Sequence, residues 1–250
     1  MMKKTCFCLF ILAASAAVLP RAASAKSVEE ILKGLDINFT SIKDAIYDAE
    51  MVAYRDQSEV KRIKFSIQVK GLVMKRLKFT YPGDINGMMM LTTAQGNVYV
   101  FLPSYNRVRR VATHVRNQGF MGTDISPDDM NSSTYSGLWD VKIVSEDAEN
   151  WILDAVPRKG VETSYSKQRL TVRKDIIAAT KIDYFDVNGV HVKTQLRDKF
   201  DSFGPGYMPK LYTFKNLKTG TWTVMRFLNC RVNTGIPDSA FTKRAILRAD

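Results

Sequence analysis

A hydrophobic period of two, repeated along most of the chain, is the feature that most constrains its fold. Apolar residues occupy every second position in 63–69, and 77–81 repeats the alternation. Such alternation is typical of strands that bury one face and solvate the other. Further strands are predicted at 88–91, 98–102, 107–111, 139–144, 151–156, 168–173, 178–185, 190–196, 210–214 and 222–232. The chain is therefore predicted to be mainly β with some α, an α+β fold built on one antiparallel sheet.

Short turn sequences separate these strands. Pro82-Gly83 ends the strand 77–81, and Asn188-Gly189 predicts a type I′ hairpin, since both residues tolerate a positive φ. Thr219-Gly220 predicts another hairpin before the last strand. Connections this short join antiparallel neighbours.

A helix is predicted before the first strand. Ser27 and Glu30 are spaced as a capping box, and the apolar residues of 28–35 follow at helical spacing. A second short helical or irregular stretch is predicted through Ile42, Ala45 and Ile46. The strands are expected to begin at about Tyr47.

The first 25 residues have the organisation of a secretory signal peptide. Lys3 and Lys4 precede an apolar run over 7–19 that is short for a membrane span, and Ala23-Ser24-Ala25 is a cleavage sequence. We expect cleavage at its end, so that 26–250 is a single exported domain. No fixed-length repeat, low-complexity linker or second composition zone divides 26–250.

Export also limits what can stabilise the fold and what the protein can bind. Cys6 and Cys8 leave with the signal peptide, so Cys230 remains alone and a sizeable core must stabilise the domain. The net charge falls from +12 to +9 when the three basic residues of 1–25 are removed. Such a charge suits an anionic membrane surface or an acidic partner, and export disfavours nucleic acid.

A sheet of about ten strands with one or two helices leaves part of its inner face to be covered. That face is predicted either to line a hydrophobic cavity or to form an ordinary core. The candidate lining residues are Phe65, Ile67, Leu77, Phe79, Met89, Val100 and Leu102.

The stretch 97–130 combines features that belong together at the rim of a binding site. Val98–Leu102 has no polar alternation, which predicts a strand covered on both faces. The next strand carries Arg107, Arg109 and Arg110, as in a half-solvated strand. Gly119-Phe120-Met121-Gly122 then places two large apolar side chains on a flexible loop, where they either cover a ligand site or pack on the core. Ser126-Pro127-Asp128-Asp129 predicts a helix start.

Catalytic and metal-binding patterns are missing from the sequence. His114 and His191 are far apart, and neither zinc, phosphate-loop, dinucleotide nor nucleophile-elbow motifs occur in 26–250. The acids of 124–129 are not spaced as a calcium loop, and capping accounts for two of them. Cys230 is interpreted as a small buried hydrophobe. We therefore expect no enzyme activity, no cofactor and no metal.

The residues of 98–130 resemble the LolA-like outer-membrane lipoprotein-sorting proteins of Gram-negative bacteria. The resemblance rests on V-Y-V-F-L-P-S-Y-N-R-V-R-R-V followed by G-F-M-G-T-D-I-S-P-D-D-M. The closing I-P-D-S-A-F of 236–241 supports it. What the resemblance implies is an incomplete β-barrel wrapped around the N-terminal helix and short helices, with a hydrophobic cavity.

The same resemblance implies a function and a set of partners. It implies a monomeric periplasmic carrier that binds acyl chains of lipoproteins or other lipids and moves them toward the outer membrane. An inner-membrane transporter of the resistance-nodulation-division type is the implied partner, with Arg107, Arg109 and Arg110 contacting it or a lipid headgroup. Phe120 and Met121 would cover the cavity. The alternative is a non-enzymatic, lipid-responsive sensor or interaction module of the envelope; a hydrolase is the weakest hypothesis.

Overall fold

One antiparallel sheet of thirteen strands dominates the structure, a computed structural model that describes residues 26–111, 119–126, 129 and 134–247. The strands are β1 Asp44–Arg55, β2 Ser58–Lys70, β3 Met74–Tyr81, β4 Met89–Thr92, β5 Val98–Leu102, β6 Arg107–Arg110, β7 Trp139–Glu146, β8 Asn150–Pro157, β9 Lys167–Arg173, β10 Ala178–Phe185, β11 His191–Phe203, β12 Gly206–Asn216 and β13 Trp222–Val232. The helices are α1 Val28–Thr40, α2 Tyr135–Leu138 and α3 Lys243–Leu247. The predicted signal peptide lies outside the described residues.

The order of the strands leaves the sheet open. It runs β6-β5-β4-β3-β2-β1-β13-β12-β11-β10-β9-β8-β7, so β6 and β7 are the two edges and do not pair in the described structure. First and last strands meet in the middle, where β1 pairs with β13. The predictions of a mainly β fold and an unclosed antiparallel sheet are confirmed.

The start of β1 differs from the prediction of a second helical or irregular stretch at 42–46. β1 begins at Asp44, and its buried side chains recur with a period of two from Ala45 through Tyr47, Ala49 and Met51. These residues belong to one core cluster with the inner faces of β2 and β3. The helical interpretation was wrong because pairing with two neighbouring strands outweighs a weak local helical pattern.

The hairpin predicted at Asn188-Gly189 exists, but its turn is not type I′. Type I′ needs a positive φ at both central residues, whereas only Gly189 has one, at +75°. Asp186 donates its backbone N–H to Val190 O at 2.9 Å, which closes a three-residue loop. The Asp186 carboxylate accepts from the backbone N–H groups of Asn188 and Val190, both at 3.0 Å, and so stabilises the longer loop.

The predicted N-terminal helix is confirmed, including its capping box. The Glu30 N–H donates to Ser27 Oγ at 3.2 Å, and the Ser27 N–H donates to Glu30 Oε2 at 2.8 Å. Ile31 and Leu35 are buried against β7, β8, β9 and β10. No helix in the described ranges is long and apolar enough to cross a membrane.

A close contact and a bridging amide fix α1 on the sheet. A Cβ at Gly34 would lie 2.6 Å from Ile177 Cγ2, so only glycine lets the helix approach the β9–β10 turn this closely. Asn38 Nδ2 donates to Ile177 O at 3.0 Å, and Asn38 Oδ1 accepts from the Tyr207 N–H at 2.8 Å. The helix is thereby joined to both the β9–β10 turn and β12.

The outer face of the β4–β5 end of the sheet is covered by the C-terminal segment 234–247. In the register, Leu77 pairs with Met90, so the side chain of Met89 lies on the opposite face. The outer cluster consists of Met89, Leu91, Phe101, Ile236, Phe241 and Ile246. The prediction that 98–102 is covered on both faces is confirmed. Met89 was a predicted cavity residue, and the structure places it in this outer cluster because the alternation of β4 turns it away from the inner face.

Asp44 fastens the C-terminal segment to the sheet. Its carboxylate, 4% exposed, accepts from the Thr234 N–H at 2.7 Å, the Thr234 hydroxyl at 2.8 Å and the Gly235 N–H at 3.1 Å. Burial alone would raise the pKa of Asp44, but these hydrogen bonds outweigh it and hold the pKa below its ordinary value. The charged form is therefore the one that the folded state stabilises.

Replacing Asp44 by Asn should destabilise the protein by about 2–3 kcal/mol at pH 7, because the variant loses charge-assisted bonds to buried donors. The contribution is complete above the ordinary pKa of an aspartate and is lost as the pH falls through the lowered pKa of the folded state. Urea unfolding at pH 7 and at pH 3 should show the difference between wild type and D44N shrinking at low pH.

The matched control is Asp238→Asn in the same segment. The Asp238 side chain is 77% exposed and pairs with Lys70 at the surface, so its loss should cost less than about 0.5 kcal/mol. Equal destabilisation by D44N and D238N would contradict the anchoring role of Asp44.

Candidate functional site

A pocket of about 240 Å³ opens on the inner face of the sheet, where its two halves face each other. Val98 on β5 and Ala178 on β10 both line it, although eight strand steps separate β5 from β10. In a flat sheet that separation would be about 38 Å at the usual spacing between strands. The sheet therefore curves strongly enough to bring distant strands around one space.

Most of the lining is aliphatic or aromatic. The apolar lining residues are Leu35, Phe39, Ile42, Ala45, Tyr47, Phe65, Ile67, Val69, Leu77, Met90, Val98, Tyr135, Ala178, Ala179, Phe200, Tyr207, Met208, Pro209, Tyr212, Phe214, Met225 and Phe227. They come from α1, from the first strands and from the last strands. No single stretch of the sequence forms the pocket.

The predicted cavity residues are divided between the pocket and the core beside it. Phe65, Ile67 and Leu77 line the pocket. Phe79 is fully buried in the same inner cluster, and Val100 and Leu102 pack against that cluster, but none of these three is part of the lining. A period of two identifies which side chains lie on the inner face. It does not distinguish the side chains that line the pocket from those that pack in the core beside it.

Arg197 and Lys75 also line this pocket, together with Gln195 and Asp129. None of the four was predicted from the sequence as a pocket residue. On β11 the sequence predicted a strand at 190–196; the register pairs Gln195 with Phe214 and Arg197 with Tyr212, and both aromatic residues face inward. The sequence does show polar residues at every second position over 193–197. This pattern indicates a polar wall only when one knows that these positions lie on the inner face of the sheet.

Gln195 is the centre of a small polar network. It is buried, and its Oε1 atom accepts from Tyr184 Oη at 3.1 Å, from Arg197 Nε at 3.0 Å and from Arg197 Nη2 at 2.9 Å. Burial raises the pKa of Tyr184 well above its ordinary value, so this phenol stays neutral and donates. The network fixes the Arg197 guanidinium beside the pocket.

Asp129 and Lys193 form a buried ion pair at the same wall. Lys193 Nζ lies 2.6 Å from Asp129 Oδ2, and Tyr165 Oη donates to Asp129 Oδ1 at 2.9 Å. Burial first, and the Asp129 charge second, raise the pKa of Tyr165, which keeps the phenol protonated. The acid of the pocket is thus already neutralised by a lysine of the chain.

The loop 119–126 packs over the inner face. Phe120 is half-buried, and its ring stacks on Phe79 with a centroid distance of 5.7 Å. Met121 has a φ of +51°, which is unusual for a non-glycine residue, and it packs against the same inner cluster. Ile125 is fully buried there. The two large apolar side chains are therefore in contact with the core beside the pocket.

Asp124 anchors this loop to β13. Its N–H donates to Thr223 Oγ1 at 2.9 Å, while its carboxylate accepts from the hydroxyls of Thr221 at 2.5 Å and Thr223 at 3.0 Å. Thr223 is fully buried. The Phe120 N–H donates to Ile125 O at 2.7 Å, so the loop backbone is hydrogen-bonded at both of its sides, and the side chains of Phe120 and Met121 are held by packing.

The predicted helix start after Ser126 is only partly described. Ser126 Oγ accepts from the Asp129 N–H at 3.3 Å, and Asp129 Oδ2 accepts from the Ser126 N–H at 2.7 Å. The bond to Ser126 Oγ is the one expected of the predicted N-cap, and the reciprocal bond from the Ser126 N–H adds to it. Residues 127–128 and 130–133, where the helix would continue, lie outside the described residues.

The three arginines of β6 lie at an open edge of the sheet. Arg107, Arg109 and Arg110 are all exposed, as predicted for a half-solvated strand. Arg110 Nη2 donates to Asn97 Oδ1 at 2.6 Å, which leaves the other guanidinium atoms facing solvent. None of the three lines the pocket.

The remaining reactive side chains form no second site in the described chain. His191 Nε2 lies 3.2 Å from Asp183 Oδ1 on the neighbouring strand, and His114 lies outside the described residues. No metal-binding group of acids, histidines or cysteines is found among the described residues. Burial raises the pKa of the Cys230 thiol, so the thiolate is disfavoured.

Comparisons with known proteins agree with this geometry. A family model described as an uncharacterized protein matches residues 73–248. A DUF1329 family protein from Desulfovibrio piger is similar in structure, with a TM-score of 0.78, 24% identity, and coverage of 87% of this chain and 96% of that one. A putative outer membrane lipoprotein-sorting protein domain from Vibrio parahaemolyticus has a TM-score of 0.75 and 19% identity, with 88% and 96% covered.

A LolA superfamily protein from Nitrosomonas europaea is similar as well, with a TM-score of 0.72, 19% identity, and coverage of 88% and 99%. No curated protein matches the chain. These similarities place the unclosed antiparallel sheet of this chain in the class of LolA-like folds. The chain belongs to the family of the matching model, and it shares its fold with the LolA-like outer-membrane lipoprotein-sorting proteins; the resemblance predicted from the sequence is confirmed.

Proposed function

We propose that the protein is a periplasmic carrier that binds acyl chains of lipoproteins or other lipids in the inner pocket. The observation that carries the proposal is the pocket itself, which is lined mainly by apolar side chains from both halves of an open sheet. A soluble carrier is needed because each exposed methylene costs about 0.8 kcal/mol in water. The predicted signal peptide of 1–25 and the LolA-like fold support a periplasmic location.

The size of the pocket bears on how a ligand enters. At about 240 Å³ it is smaller than the roughly 300–1,000 Å³ of ordinary ligand sites. A long acyl chain therefore needs the pocket to widen. Phe120 and Met121 are suited to this movement, because they are only partly buried and contact the core through packing. In the proposal they swing aside to admit the chain and then cover it.

The basic edge β6 is proposed as the contact with a polar partner. Arg107, Arg109 and Arg110 are exposed on a strand whose outer side pairs with no other described strand. An inner-membrane transporter of the resistance-nodulation-division type, or the headgroup of the cargo, is the proposed partner. The protein is proposed to act as a monomer that moves its cargo toward the outer membrane, without enzyme chemistry.

Filling the pocket tests the carrier function directly. Val69→Trp places a large ring into the lining and should reduce binding of a fluorescent fatty acid at least about tenfold, because the apolar volume is lost. Native mass spectrometry of the protein recovered from cells should show lipid on the wild type and less on V69W.

Val60→Trp on the same strand is the control, since Val60 is 56% exposed and outside the pocket. V60W should bind the probe like the wild type. A wild type that carries no lipid and takes up no probe would disprove the carrier function, as would equal binding by V69W in a folded protein.

Phe120→Ala tests whether the Phe120 side chain covers a ligand in the pocket. Because Phe120 is half-buried, its truncation should cost only about 1 kcal/mol, whereas Phe79→Ala should cost about 3–5 kcal/mol as a buried ring is removed. F120A should release a bound fatty acid several-fold faster in stopped-flow measurements. If F120A lowers the melting temperature as much as F79A does, Phe120 is part of the core and not a cover.

Charge reversal tests whether the arginines of β6 contact the polar partner. Arg107→Glu with Arg109→Glu should weaken binding to inner-membrane vesicles at least about tenfold while changing stability by less than about 0.5 kcal/mol, as for exposed charges. Protein-free liposomes of the same lipids distinguish a transporter from a lipid surface.

Lys142→Glu with Lys159→Glu makes the same change in net charge at exposed positions near the other edge of the sheet. That variant should bind like the wild type. Equal loss in both variants would indicate a general effect of net charge, and no loss in either would assign the β6 arginines to the solvated surface alone.

A further inference from the structure

The inner face of β11 carries a polar stripe where a core strand would be apolar. Lys193, Gln195 and Arg197 occupy alternate positions, and their cross-strand partners include the inward-facing Phe214 and Tyr212. Side chains at alternate positions of a strand share a face. Buried polar groups are costly unless they are bonded, so each member of the stripe needs a partner.

Two members of the stripe have their main partners within the described chain. Lys193 is paired with Asp129 at 2.6 Å. Gln195 accepts from Tyr184 and from Arg197 through its Oε1 atom. These contacts use neutral or oppositely charged groups, so neither residue leaves a net charge at the pocket.

Arg197 is different because its bonds are to neutral groups. Gln195 Oε1 accepts from Nε and Nη2, and the ring of Tyr212 lies 5.9 Å away. Among the residues that the structure describes, no carboxylate lies within 4.0 Å of it. Its positive charge is therefore held beside an apolar space without a counter-ion from the described chain.

Arg169, on the outside of the same half of the sheet, shows what a paired arginine looks like here. Its Nε and Nη2 atoms donate to the two oxygens of Asp154 at 2.7 and 2.9 Å. This bidentate arrangement is the one that a guanidinium and an oxyanion form most readily. Arg197 has five N–H groups, of which Gln195 takes two, so donors remain for a second acceptor.

The acidic side chain of the described lining does not neutralise Arg197. Asp129, the acidic lining residue, is already paired with Lys193. Field lines between low-dielectric walls favour an anion in such a space.

We propose that Arg197 binds the anionic group of an amphiphile, a carboxylate or a phosphate, while the acyl chain of the same molecule lies along the apolar lining. The inference rests on the proposed carrier function and names the class of cargo. A neutral triacylated anchor gives Arg197 no counter-ion, whereas a fatty acid or a phospholipid with a single acyl chain does. Gln195 and Tyr184 act as positioning residues that orient the guanidinium.

The test compares anionic ligands with their uncharged analogues on the purified protein. Oleate is paired with methyl oleate, and oleoyl lysophosphatidic acid with monooleoylglycerol, each below its critical micelle concentration, with displacement of a fluorescent fatty-acid methyl ester as the readout. At least one anion should bind at least about tenfold tighter than its neutral analogue, the gain expected from one charge-assisted contact. The pair that shows the preference tells whether the group is a carboxylate or a phosphate.

Variants of Arg197 test whether this residue causes the preference for the anionic ligand. Arg197→Gln should abolish it, measured as the ratio of the affinities for the anion and its neutral analogue, and Arg197→Lys should restore part of it because the charge returns. Arg231→Gln, an exposed arginine on β13, should behave like the wild type.

The outcomes separate this inference from the carrier function. Binding of neutral and anionic ligands with equal affinity by the wild type would overturn the anion site and leave the carrier standing. Binding of neither would overturn both. A preference that survives in folded R197Q would also overturn the site, since the selectivity would then come from the general positive charge of the protein.

Discussion

The rest of the structure depends on covering the inner face of an open sheet. Thirteen strands present an apolar face that is too wide for one helix, and the edges β6 and β7 do not pair to close it in the described structure. Helix α1 covers β7–β10, while the loop 119–126 covers the inner face of β3 and β13. The pocket lies on the inner face between the strands covered by α1 and those covered by the loop 119–126.

The segments that cover the sheet are held by different interactions, and this difference suits a binding site that must open. α1 is fixed by the close approach at Gly34 and by the two hydrogen bonds of Asn38. The C-terminal segment is fixed on the outer face by the buried carboxylate of Asp44. In the loop, the backbone of Phe120 is hydrogen-bonded to Ile125 and Thr123, while its half-buried ring stacks on Phe79. The side chains of Phe120 and Met121 are less buried than Ile125, so they can move with a smaller loss of burial than the rest of the loop.

Most of the polar groups on the inner face of β11 have partners within the described chain. Lys193 and Asp129 satisfy each other, and Gln195 satisfies two neighbours with one oxygen. Arg197 keeps its charge beside the pocket with neutral partners. A half-buried cation beside an apolar pocket is retained at a cost in folding free energy, which is the physical reason to look for an anionic ligand at that position.

The sequence by itself determined the elements and the direction in which most side chains point. The period of two placed Phe65, Ile67 and Leu77 on one face, Ser27 and Glu30 fixed the helix start, and the unbroken apolar run of 98–102 required a cover on both sides. Local spacing suffices for these features because each depends on residues a few positions apart.

Only the tertiary structure decided which strands meet, where the sheet stays open and which inner residues face empty space. It placed Met89 against the C-terminal segment, began β1 at Asp44 within the stretch predicted as helical or irregular, and brought Arg197 beside an apolar pocket. Each of these outcomes depends on the register with strands far away in the sequence, and a shift of one residue reverses the face on which a side chain lies.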